Sequence, residues 1–234
     1  MITSKDTDTD TNEFQNHCLL FNIASLYFQQ KKELHKTIQI LLFLQNKLQT
    51  LNDDLFTVKV CFLLLEVLLL LRVVASKSND SDLKVVEIEK EQQIRQIPID
   101  HLMNAVVKDV VVLTASFSSS SFSSDATHST LSMLMKQLAT FLLYLYKCRM
   151  CVVTDTPKQA KKEIKNALEI FQREIRKHPE ENVMHAYMCL HNLLPLSLSP
   201  SACNVIAFSD SANHQQISIM DRLNQMALYL KVRH

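Results

Sequence analysis

DDLFTVKVCFLLLEVLLLLRVVA, residues Asp53 to Ala75, decides how the rest of the chain must be arranged. Between Val58 and Val74 only Lys59, Glu66 and Arg72 carry charge. A helix that is apolar on nearly every face has to be covered on nearly every face. The segment is therefore either the buried centre of a helical protein or a membrane span. A span needs about 20 predominantly apolar residues. The uncharged runs here are only Val60–Leu65 and Val67–Leu71, with Glu66 between them. A carboxylate at mid-span costs a few kcal/mol even on insertion scales. The segment reads as a buried helix, with Cys61, Leu64, Leu65 and Leu68 as its expected core positions and no membrane contact.

Working outward, the composition supports a helical protein. Of 234 residues 47% are apolar, ample for a core, and none is glycine. Ordinary proteins contain about 7% glycine. Without it there is no glycine-rich phosphate loop, no G-x-G-x-x-G fingerprint and no G-x-S-x-G nucleophile elbow. The favoured tight hairpins of β proteins also lean on glycine. Helices tolerate the loss best, provided they end on residues such as Asn, Ser or Lys. A net charge of +1 argues against a general nucleic-acid binder. The opening MITSKDTDTDTNEF is polar and acidic and does not read as a secretory signal. Together with six cysteines this predicts reduced thiols and a cytoplasmic, or also nuclear, protein.

The pattern of breaks divides the chain. Residues 1–12 read as a disordered tail and 13–115 as an N-terminal helical array. The array opens with helices over 13–30 and 34–50. Asn52, Asp53 and Asp54 then break and cap, and the apolar helix follows. A charged helix is expected over 83–96. The valine-rich stretch 99–114 has strand propensity, but a lone strand has no partner, so a helix is expected there. Residues 116–128, containing FSSSSFSS, read as a Ser-rich linker. A second hairpin plus helix occupies 129–194, with helices over 129–153, 157–177 and 180–194. In it, Thr156 serves as cap and Pro157 as first helical residue. A loop over 195–212 and an amphipathic helix within 213–234 complete the chain.

Two helix–turn–helix hairpins with stacked helices between them suggest an all-α, tetratricopeptide-like solenoid. Asn22, Ile23, Ala24 and Tyr27 sit in the order expected for the first helix of such a repeat. Thr37 takes the small-residue position of the second helix if one residue is inserted in the turn. In the later hairpin Ala160, Ile164 and Ala167 fit the second helix, whereas its first helix offers Tyr144 and Tyr146 but no small residue at the expected spot.

The order of words is more specific. LLFNIASLYFQQKKELHKTIQIL, followed by VCFLLLEVLLLLRVVASKSND and later by KQAKKEIKNALEI (Lys158–Ile170), resembles the tetratricopeptide region of the family of tenth subunits of the CCR-NOT deadenylase complex. The resemblance covers roughly residues 16–80 and 130–175, with a low-complexity insert between. The chain departs from that family in being shorter and in lacking its turn glycines. The resemblance implies a non-catalytic subunit without cofactor. It also implies pairing with the eleventh subunit, docking on the N-terminal region of the large scaffold subunit, and support of mRNA deadenylation, mRNA decay and translational repression. RNA contact would be indirect. The competing reading is a tetratricopeptide-like adaptor that binds peptides or cargo, unrelated to mRNA decay.

Residues that might carry chemistry are few. Cys148 and Cys151 form a C-x-x-C, and with His185 and Cys189, four apart on a later helix, they sketch a zinc site. Small core residues in helices explain the cysteines equally. Nine histidines are scattered with no H-E-x-x-H. Glu66 is expected to face a gap or pair with Lys59 or another neighbour rather than to act catalytically. Lys158, Lys161, Lys162 and Lys165 line one side of a helix, as a solvated face or as a dock for an acidic partner or RNA.

Overall fold

The computed structural model describes residues 6–31, 33–51, 53–77, 98–116, 126–190 and 218–232. The helices are α1 (Asp6–Gln29), α2 (Leu34–Leu51), α3 (Asp54–Lys77), α4 (Ile99–Ser116), α5 (Ala126–Val153), α6 (Pro157–Arg173), α7 (Glu180–Leu190) and α8 (Ile219–Val232). A short 3-10 turn spans Ile175–Lys177. The protein is all-helical, and no strand occurs among the described residues. The expected helix over 83–96, the Ser-rich stretch after Ser116 and the loop over 195–212 lie outside the described residues.

α3 is the centre, as its sequence demands. No residue from Asp53 to Val73 is exposed, and α3 packs against α1, α2, α4, α5 and α7. Cys61, Leu64, Leu65 and Leu68 are wholly buried. Asp53 caps the helix by accepting the Phe56 N–H at 3.0 Å. Phe56 in turn meets the rings of Phe14 and Phe21 edge-on, at 5.9 and 5.4 Å, which seats α1 on the start of α3. No helix among the described residues is long and apolar enough to cross a membrane.

α4 shows why periodicity outranks propensity. Ile99, Met103, Val106, Val110 and Thr114 are buried, at steps of three and four that define one helical face. The valines that suggest a strand thus fall on a helix packed against α3 and α5. Gln45 of α2 donates to Asp109 of α4 at 2.6 Å. Ser116 closes the other end of α4 on Asp54.

In the second half α5 meets both α6 and α7, and α8 packs on α5, α6 and α7. α5 also reaches back to α3 and α4, so the helices on either side of the Ser-rich stretch pack against each other. The first residue of α8 is tied to α7: the Ile219 N–H donates to Glu180 Oε1 at 2.9 Å.

Several boundaries differ from the sequence reading. The stretch expected to be a tail is helical from Asp6 onward. The helix expected to reach residue 177 ends at Arg173, and the remaining residues form the 3-10 turn. Thr156 is the N-cap of α6, but its side chain makes no capping bond; the hydroxyl donates backward to the Cys151 carbonyl at 3.1 Å. Without glycine, Lys31, Glu33 and Asp155 take left-handed turn conformations with φ of 52°, 51° and 53°. Each such residue carries a steric penalty of about 1–2 kcal/mol that glycine would avoid.

Candidate functional site

Within the apolar run of α3, Lys59, Glu66 and Arg72 lie at near-heptad spacing, and the last two pair with different neighbours. Glu66, only 5% exposed, accepts two hydrogen bonds from α5. The Tyr146 hydroxyl and the Arg149 Nη1 each approach its Oε1 at 2.8 Å. The Tyr146 ring stacks on Phe62 with centroids 5.5 Å apart and planes inclined by 21°. The Arg149 guanidinium lies over that ring at 5.6 Å. Burial, then the Glu66 charge, holds the Tyr146 phenol well above its ordinary pKa, so it stays a neutral donor. Of the expected alternatives for Glu66, pairing with a neighbour holds, through Tyr146 and Arg149 and not through Lys59. Lys59 and Glu66 are seven residues apart on one helix, whereas ion pairs on a helix form at three or four. Glu66 is thus spent on fastening α3 to α5.

Arg72 makes the second link, to Asp100 at the start of α4, at 3.3 Å. Lys59 is the third charge of that run. Burial pushes its ammonium below the ordinary lysine range, offset in part by Cys189 of α7, Asp53 and Cys18 of α1. Asp109 of α4 shows the opposite desolvation effect: burial raises its carboxyl, against the lowering effect of the Gln45 hydrogen bond.

The cysteines and histidine of the sketched zinc site are distributed differently from one another. Cys148 is wholly buried, and burial, then Cys151 and Glu163, push its thiol up to about 11. Cys151 and Cys189 are half-buried and His185 is exposed. Among the described residues no group of three or more His, Cys, Asp or Glu is arranged to hold a metal ion. Cys61 is likewise raised, chiefly by burial and then by Asp109, which makes it an unreactive thiol.

Ala24, Thr37, Ala160 and Ala167 are wholly buried and Ile164 nearly so. Ile23 and Tyr27 are half-buried. Asn22 was expected to pack but is exposed, on the solvent side of α1 together with the exposed Leu19 and Leu26. Cys148 of α5, twelve residues before Ala160, is wholly buried as well, in keeping with the strong preference of this small residue for interiors.

α6 has the most sharply divided faces. Ala160, Glu163, Ile164, Ala167 and Phe171 are buried, while Lys158, Lys161, Lys162 and Lys165 are all exposed. Phe171 meets Phe141 of α5 at 5.9 Å. Glu163 accepts a hydrogen bond from Gln159, and Glu169 pairs with Arg173. Comparison of the chain with protein families, with curated proteins and with solved structures finds no match.

Proposed function

We propose that this chain is a non-catalytic scaffold subunit of the CCR-NOT deadenylase complex, of tetratricopeptide-like build, working by protein–protein contacts. The observation that carries the reading is the order of three sequence blocks that resemble the tenth subunit: Leu19–Leu41, Val60–Asp80 and Lys158–Ile170. The first block falls on α1 and α2, the second runs along α3, and the third lies within α6. The repeat reading gains support from buried small residues at related spacings. Ala24 precedes Thr37 by thirteen residues and Cys148 precedes Ala160 by twelve, and all four are wholly buried. Such pairs let two antiparallel helices approach closely.

In this role the partners are the eleventh subunit and the N-terminal region of the large scaffold subunit. The assembly supports mRNA deadenylation, decay and translational repression in the cytoplasm, with a nuclear pool. Affinity purification of the tagged full chain from its own cells, read by mass spectrometry, tests the proposal. Recovery of the large scaffold subunit and deadenylase subunits is the expected result. Their consistent absence, with the tagged chain folded and recovered, would remove the assignment.

A further inference from the structure

The lysine face of α6 has no function in the fold. Lys158, Lys161, Lys162 and Lys165 are exposed, and no ion pair to any of them is found among the described residues. Positions i, i+3, i+4 and i+7 place them on one side of the helix, over about 10 Å. The acidic residues that might neutralise them are engaged elsewhere. Glu163 faces inward beneath Gln159. Glu169 pairs with Arg173, and Glu174 pairs with Lys177 and accepts from Gln137. The exposed Asp155 of the preceding turn adds one negative charge at the start of the helix. Moreover, the first turn of α6 holds no acidic residue. Lys158 stands in that turn, where the helix dipole disfavours a cation.

We propose that this face docks an acidic helical segment of a partner protein. The length and spacing fit two turns of a helix carrying carboxylates at the same intervals, each within reach of one ammonium. Nucleic acid fits the face less well. Single strands are held by stacking on aromatic side chains beside the charges, and the only aromatic residue of α6, Phe171, is buried. The face also lacks arginine, whose planar fork makes paired contacts with phosphate. The proposal concerns the chemistry of one surface and goes beyond the deadenylase assignment; it stands if that assignment falls.

The test is fluorescence anisotropy at low salt with the full chain and two labelled probes: a helical Glu/Ala peptide with glutamates at i, i+3, i+4 and i+7, and a poly(U) RNA of similar charge. The chain should bind the peptide more tightly than the RNA. Replacement of all four lysines by glutamine should weaken peptide binding by about tenfold or more, the combined effect of several exposed ion pairs, with an unchanged melting temperature. A milder Lys158→Gln/Lys162→Gln variant should lie between. Equal peptide binding by wild type and the fourfold variant, no peptide binding by wild type, or preference for the RNA would each overturn the proposal.

Discussion

At the residue scale the informative groups are the charges inside an apolar helix. Lys59 is half-buried, and its pKa lies below the ordinary 10.5. The folded state therefore holds this proton less tightly than the unfolded chain does. By linkage, the charged lysine lowers stability at pH values below its folded pKa, and the penalty fades as pH rises through that value towards 10.5. Lys59→Met removes the penalty. The variant should melt above the wild type at pH 7, and the gap should narrow as the pH is raised past 10; thermal unfolding followed by circular dichroism measures both. A variant that melts below the wild type at pH 7 would mean that the Cys189, Asp53 and Cys18 surroundings outweigh desolvation. The sequence identified Lys59, Glu66 and Arg72 as the polar exceptions of α3, but not their partners. Arg149 lies 83 residues from Glu66, and no local periodicity relates them. Only the approach of α5 to α3 does so.

At the element scale, burial was legible and contacts were not. The apolar run of α3 predicted a helix covered all round, and Cys61, Leu64, Leu65 and Leu68 are wholly buried. The valine-rich stretch of α4 was expected to be a helix because a lone strand has no partner, and the structure adds the burial of Val106 and Val110 on one helical face. Cap chemistry was harder: Thr156 occupies the N-cap position, yet its hydroxyl turns back to Cys151. A choice between two bonds of similar strength is decided by turn geometry, which residue type does not reveal. Asn22 failed as a packing position because repeat spacing names a register and does not fix which side of α1 the neighbours cover. Leu68 tests the burial itself. Leu68→Ala should cost about 2–5 kcal/mol, the range for a large-to-small change in a closed core, and Leu68→Asp should abolish folding through an unpaired buried charge. Urea denaturation gives the first value. A loss below about 1 kcal/mol would mean that the site is open to water or collapses freely.

At the scale of the whole molecule, the charges on α3 connect parts of the chain that are far apart in sequence. Glu66 holds α5 and Arg72 holds α4. The Ser-rich stretch suggested a boundary between two arrays, a natural inference from composition. Composition carries no information about whether helices on either side pack together, and here α5 packs on α3 and α4. The central claim is that α3 joins both halves into one cooperative body through Glu66, Tyr146 and Arg149. Removing Glu66 takes the acceptor from the buried Tyr146 phenol, at a cost of about 1–3 kcal/mol. Native-state hydrogen exchange read by mass spectrometry, on the wild type and on Glu66→Ala, tests the claim most directly. The prediction is that amides of α3 and α5 share one opening free energy in the wild type and lose protection together in the variant. Protection of α5 and α6 that stays unchanged while α3 opens would contradict it.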